Sequence, residues 1–129
     1  KVLTIDDDDT LLFIMKRFLT KTGKVSEIRI AGNGQQGLQV LEDENWVPDL
    51  IFLDINMPVM NGWDFLEVFS RTKSEKFKGK IVMLSSSTMD IEVDDANKHS
   101  LVYSYMSKPA EYFKLLELVE EIDLQLNAS

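Results

Sequence analysis

Four consecutive aspartates, Asp6-Asp7-Asp8-Asp9, follow the apolar segment Val2-Leu3-Thr4-Ile5, and another carboxylate, Asp54, ends the apolar run Leu50-Ile51-Phe52-Leu53. Ser85 follows a third run, Ile81 to Leu84, and Lys108 follows a fourth, Leu101 to Met106. A carboxylate at the end of such a run serves as nucleophile, metal ligand or base. One alone is as well explained as a solvated turn residue; the repetition is not. Three carboxylates gathered within a few ångströms repel one another at neutral pH unless a cation joins them. An oxygen-rich pocket in a chain with no cysteine and one histidine suits Mg²⁺, which takes one or two carboxylates, water and a phosphate oxygen. A hydroxyl and an ammonium opposite complete a site for a transferring phosphoryl group. The chemistry expected is attack by the Asp54 carboxylate on phosphorus, giving an acyl phosphate.

Such a site needs one edge on which all these run ends meet. Continuous apolar runs are the mark of strands buried on both faces, as in parallel sheets, and open α/β sheets bind ligands at the carboxyl ends of their strands. The spacing predicts strands over Val2–Ile5, Val25–Ala31, Asp49–Asp54, Ile81–Leu84 and Leu101–Met106. Between them the period changes to that of helices. Leu11, Ile14 and Phe18, with Leu12, Met15 and Leu19, form the first stripe, with Phe13 and Phe18 read as core and Asp9 or Thr10 as N-cap. Gly23 ends it. Asn33-Gly34 opens a helix carrying Leu38 and Leu41. Trp63, Phe65, Leu66 and Phe69 make a third, and Leu115, Val119, Ile122 and Leu126 a last one. The candidate from Asp90 to Lys98 is weak, its apolar positions being Ile91, Val93 and Ala96. Five strands alternating with five helices imply an α/β, doubly wound (βα)5 parallel sheet, a single domain over residues 1–129.

Composition bounds the function. The formal charge of −8 argues against direct nucleic-acid contact, which needs Lys and Arg to neutralise phosphates. The longest apolar run, Leu11 to Met15, is far too short for a membrane span. No signal-peptide pattern opens the chain, and the expectation is a cytoplasmic protein. Lys1 lies inside an apolar segment with no initiator Met, so upstream residues are expected, and Ser129 lies just past a helical pattern. Arg71, Lys73, Lys76, Lys78 and Lys80 crowd one loop and read as a solvated face. His99 reads as a cap on a helix C-terminus.

The chain resembles the receiver domain of two-component response regulators, in the manner of single-domain chemotaxis regulators. The resemblance rests on Ile5-Asp6-Asp7, on Leu53-Asp54 with Met57-Pro58 and Gly62, on Ser85, on Lys108-Pro109, and on Ala31, Asn33-Gly34 and Gly37-Leu38. It implies the flavodoxin-like strand order 2-1-3-4-5 and a non-enzymatic phosphoacceptor that assists its own phosphorylation and dephosphorylation. Asp54 is the implied phosphoacceptor. Asp7, Asp54 and the Asn56 backbone carbonyl are the implied Mg²⁺ ligands, with Asp6 acting through a water. Lys108 pairs with the phosphoryl group, Ser85 hydrogen-bonds it, and Ser85 with Tyr105 carries a switch. Ser86 is small, as phosphate access demands, and the Lys108–Pro109 bond is cis in the implied pattern. The implied donor is a sensor histidine kinase or a histidine phosphotransfer protein, and the implied outputs are a downstream protein target or relay of the phosphate. Departures are Leu101-Val102 in place of a Gly-Ala pair, the polar 90–98 segment, and the additional Asp8 and Asp9.

A rival exists. Asp6, Asp8 and Thr10 satisfy the D-x-D-x-T pattern of haloacid-dehalogenase-like phosphatases, with Asp6 as nucleophile, Asp8 as acid/base, and Ser85 and Asp94-Asp95 imitating the later motifs. That reading leaves Asp54 to Pro58 unexplained and lacks room for a flap before Leu11. A third possibility is a receiver that only binds protein, against which Asp54, Ser85 and Lys108 all stand.

Overall fold

A computed structural model describes residues 1–57, 59–72, 77–85, 101–108 and 111–127. The elements, in order, are β1 (Val2–Ile5), α1 (Asp9–Lys21), β2 (Ile28–Ala31), α2 (Gly34–Val40), β3 (Leu50–Asp54), α3 (Gly62–Thr72), β4 (Lys80–Ser85), β5 (Val102–Ser107) and α4 (Tyr112–Asn127). The strands form one parallel sheet in the order β2-β1-β3-β4-β5. This is the flavodoxin-like order. The helix candidate over 90–98, together with Pro58, Lys73, Lys76, Ser86, Asp94, Asp95, His99 and Pro109, lies outside the described residues.

The apolar runs are continuous because both faces of the sheet are covered. Leu3, Ile5, Ile51, Leu53, Ile81 and Met83 point into one core with Phe65, Leu66 and Phe69 of α3. Val2, Leu50, Phe52, Val82 and Leu84 point the other way, onto Leu11, Met15 and Leu19 of α1 and Leu115, Val119 and Ile122 of α4. Each strand therefore alternates between two apolar layers, and the period-2 signal is hidden in an unbroken run.

Local chemistry sets the helix ends. Asp8, not Asp9 or Thr10, is the N-cap of α1: its Oδ1 accepts from Thr10 N at 3.0 Å and Leu11 N at 3.3 Å. Asp9 and Thr10 lie within the helix, since Asp8 alone has extended backbone with its carboxylate turned onto the first free N–H groups. At the other end Gly23, at φ +74°, takes the left-handed turn that follows many helices. Asn33 caps α2 by accepting from Gln36 N at 2.9 Å.

Three expectations shift. β2 starts at Ile28 rather than Val25, because β1 offers four rungs, Val2 opposite Ile28 to Ile5 opposite Ala31. β4 and β5 each run on one residue further, to Ser85 and Ser107, paired with one another across a register shift beside Ile81 and Val82. Phe13 is not core: it is 61% exposed, whereas Phe18 on the same helix is half-buried against the core beneath α1 and α4.

Candidate functional site

The ladder that builds the sheet continues past the strands and fixes the residues at its carboxyl edge. Asp6 N donates to Ala31 O at 3.0 Å, Ile55 N to Leu84 O at 3.0 Å, and Lys108 N to Ser85 O at 2.8 Å. Asp6, Asp54, Ser85 and Lys108 are thus backbone-anchored neighbours on one edge. Side-chain burial is nearly complete for three of them: Asp6 is 0%, Asp54 2% and Ser85 1% exposed.

Lys108 spans the two buried carboxylates. Its Nζ lies 2.9 Å from Asp6 Oδ2 and 3.0 Å from Asp54 Oδ1. Asp6 Oδ1 accepts from Asp8 N at 2.9 Å, and Asp54 Oδ1 accepts from Asn56 N at 3.3 Å. Asp54 Oδ2 is buried with no hydrogen-bond donor. Burial pushes the Asp54 carboxyl up to about 6, and the Asp6 charge pushes the same way. The Lys108 hydrogen bond and charge, with the Asn56 N–H, hold it back. Burial works against the Lys108 ammonium, yet its hydrogen bonds and charge pairing with Asp6 and Asp54 outweigh this, and its pKa rises above the ordinary lysine value.

Asp7 is exposed and completes the group. One carboxylate oxygen from each of Asp6, Asp7 and Asp54 falls within 4.8 Å of the other two. Such a gathering of carboxylate oxygens is of the size that a small hard cation and its waters draw together. The donors are all hard oxygens, and the buried Asp54 Oδ2 wants a positive partner. These residues fit Mg²⁺. Asn56, whose carbonyl was expected to be a ligand, is exposed two residues after Asp54, between the buried Ile55 and Met57.

The remaining expected residues are also at hand. Ser107 pairs with Ser85, and Tyr105 pairs with Met83, two residues before Ser85 on β4. Because strand side chains alternate, Ser85 and Tyr105 share one face of the sheet, where Tyr105 packs against the α3-side core. Gly62 is a contributor that sequence motifs mark without explaining. Its N donates to Ile55 O at 2.8 Å, and a Cβ there would stand 2.6 Å from Asp54 O. Only glycine lets α3 start against the backbone that carries Asp54. Asp8, the acid/base of the phosphatase rival, spends its carboxylate on the α1 cap, and α1 begins at Asp9, which leaves no flap.

Comparison with known proteins agrees with this geometry. The family model for the response regulator receiver domain matches residues 2–120. The chain is 32% identical over 120 residues to the nitrate/nitrite response regulator protein NarL of Escherichia coli, which covers 93% of this chain and 53% of that protein. It spans about half the length of the curated relatives it matches first. Among solved structures, a two-component response regulator from Cytophaga hutchinsonii is 31% identical with a TM-score of 0.83, covering 94% of each chain. The chemotaxis response regulator CheY4 of Vibrio cholerae is 25% identical with a TM-score of 0.78, covering 94% of this chain and 96% of that one. The chain therefore belongs to the response regulator receiver domain family.

Proposed function

We propose that Asp54 accepts a phosphoryl group from a phosphohistidine on a sensor histidine kinase or histidine phosphotransfer protein in the cytoplasm. The observation that carries this reading is the buried Asp54 carboxylate, one oxygen held by Lys108 and the other without a donor. An Asp54 oxygen forms the new O–P bond as the P–N bond to the donor imidazole breaks, and the imidazole leaves with the bonding pair and takes up a proton. Lys108, shared with Asp6, holds Asp54 in place and offers its ammonium to the incoming phosphoryl oxygens. Ser85 donates its hydroxyl to the same group. Asp7, Asp54 and the Asn56 carbonyl, with Asp6 through water, would hold Mg²⁺, which when bound supplies positive charge against the crowded oxygens.

The acyl phosphate places new negative charge beside Ser85, and Ser85 and Tyr105 on their shared sheet face carry the response to a protein target. Passing the phosphate on to another histidine is the second outcome the same chemistry permits. In either case the chain acts as a signalling phosphoacceptor, not as an enzyme on a separate substrate.

The test is labelling with radioactive acetyl phosphate and Mg²⁺. Wild type takes up a base-labile label; Asp54→Asn does not, and Asp8→Asn, which keeps the α1 cap, does. Label on Asp54→Asn but not on Asp6→Asn would overturn the reading in favour of the phosphatase rival.

A further inference from the structure

We infer that Val59 determines which protein can donate the phosphoryl group, its isopropyl group seating in an apolar depression beside the donor's phosphohistidine. The inference rests on Asp54 as the phosphoacceptor. Val59 has φ +70° and, among the described residues, is the one residue other than glycine at positive φ. A β-branched side chain there is a true outlier, because its Cβ crowds the following carbonyl. Asparagine or glycine takes the same turn readily. The fold gains little in exchange: Val59 is 82% exposed, the most exposed of the large apolar side chains described.

Its neighbours impose the conformation. Gly62 N donates to Ile55 O at 2.8 Å and closes the loop. Asn61 and Asp64 exchange bonds, Asn61 N donating to Asp64 Oδ2 at 3.3 Å and Asp64 N to Asn61 Oδ1 at 2.8 Å. Met57 is buried, and Met60 lies so close over Gly34 that a Cβ on that glycine would stand 2.8 Å from the Met60 sulfur. Strain of this kind persists only where the surroundings over-determine it, and it gathers at functional sites. The loop dictates the backbone at residue 59 but does not call for valine. A valine that is strained and buries little at home has its partner outside the chain.

Location selects that partner. The loop leaves β3 at Asp54, on the carboxyl edge of the sheet. The five residues from Asp54 to Val59 reach at most about 17 Å, and closure at Gly62 shortens the distance. A protein that brings a phosphohistidine onto Asp54 covers about 800 Å² in a standard interface, a patch of roughly 16 Å radius. Val59 falls beneath it, whereas acetyl phosphate is too small to touch both residues. A target reading the change at Ser85 and Tyr105 meets β4 and β5, but transfer cannot occur unless the donor stands over Asp54. Asp7, Asp8 and Asp9 are exposed on the same edge. Any basic surface answers those charges; an apolar seat demands shape, and so discriminates among donors.

The test sets a protein donor against a small one, both on the full chain. A panel of purified, autophosphorylated sensor histidine kinases and phosphorylated histidine phosphotransfer proteins supplies the fastest protein donor, and acetyl phosphate is the small one. Val59→Asn and Val59→Gly should unfold at urea concentrations no lower than wild type, since both relieve the turn. Their kcat/KM with the protein donor should fall roughly tenfold, through KM. Labelling by acetyl phosphate should stay within about twofold, and so should protein-donor transfer to Val59→Ile, which keeps the apolar branch. Equal protein-donor transfer to wild type, Val59→Asn and Val59→Gly overturns the inference, as does a panel in which no donor outpaces acetyl phosphate. Equal slowing with both donors makes Val59 a prop for Asp54 and refutes the contact. Unchanged transfer, with self-association of wild type but not of Val59→Asn in sedimentation, assigns the side chain to a second copy and refutes the donor. A wild type that takes no label from either source removes the phosphoacceptor reading, and this contact with it.

Discussion

Lys108 Nζ stands 3.0 Å from Asp54 Oδ1 while the second oxygen of that carboxylate, Oδ2, is buried without a donor. One half of the Asp54 carboxylate is thus compensated and the other is exposed to the full cost of burial. This imbalance controls stability, metal response and reactivity together, and each can be measured.

The first consequence is a pH dependence in the absence of metal. Burial and the Asp6 charge raise Asp54 in the folded state to about 6 from 3.8. The folded state therefore holds this proton more tightly, and its stabilising effect is complete below about pH 3.8 and lost as pH rises through about 6. The difference is on the order of 3 kcal/mol. In EDTA, the urea-unfolding free energy of wild type should fall relative to Asp54→Asn across that window. Parallel profiles for the two proteins would count against it.

Removing the shared cation should cost more than either contact suggests. Lys108→Met leaves Asp6 and Asp54 facing one another, and breaking a buried pair from one side costs about 3–5 kcal/mol. The loss should be larger at about pH 7.5 than near pH 4.5, where Asp54 is protonated and only the pairing with Asp6 is broken. Adding Asp54→Asn to Lys108→Met should restore much of it, a coupling that chemical denaturation of all four proteins would read directly.

Mg²⁺ should stabilise the fold through Asp7. At about ten times its dissociation constant a ligand adds about 1.4 kcal/mol, visible as a rise in melting temperature. Asp7→Asn should abolish that rise while leaving the metal-free protein at least as stable, since Asp7 is exposed and its charge adds to the crowding. An equal Mg²⁺ response in Asp7→Asn would remove Asp7 from the metal site.

Gly62→Ala should damage the site from behind. The new Cβ would overlap the Asp54 carbonyl oxygen at 2.6 Å, and relief requires either α3 or the Asp54 backbone to move. A loss of about 1–3 kcal/mol is expected, with slower labelling of Asp54 in the fraction that stays folded. Unchanged labelling would show that α3 yields rather than the phosphoacceptor strand.

Much of this was legible in the residues because the fold repeats one rule. A strand covered on both faces must be apolar throughout, so the run ends stand out, and the positions of Asp6, Asp54, Ser85 and Lys108 in the chain place them on one edge. Asp8 as the α1 cap was not, because four identical residues in a row offer the same signal at every position. Phe13 was misplaced for a related reason. It sits one residue before Ile14 in the helical stripe, and a rotation of about 100° separates core from solvent there. The bridging of Asp6 and Asp54 by one ammonium depends on side-chain rotamers, which spacing does not encode.

The strand order has a consequence for how the chain reaches its folded state. Asp6 and Asp54 meet as soon as β1 pairs with β3, whereas Lys108 arrives with β5, beyond β4. A route that pairs β1 with β3 first assembles two carboxylates before their counter-charge. Refolding in EDTA should then slow as pH rises above about 3.8, where Asp54 begins to ionise in the unfolded chain, in wild type but not in Asp54→Asn, with Lys108→Met speeding unfolding rather than slowing folding. Stopped-flow refolding would reveal it: a folding limb insensitive to pH, or one slowed by Lys108→Met, would mean that the ammonium is already in place at the barrier.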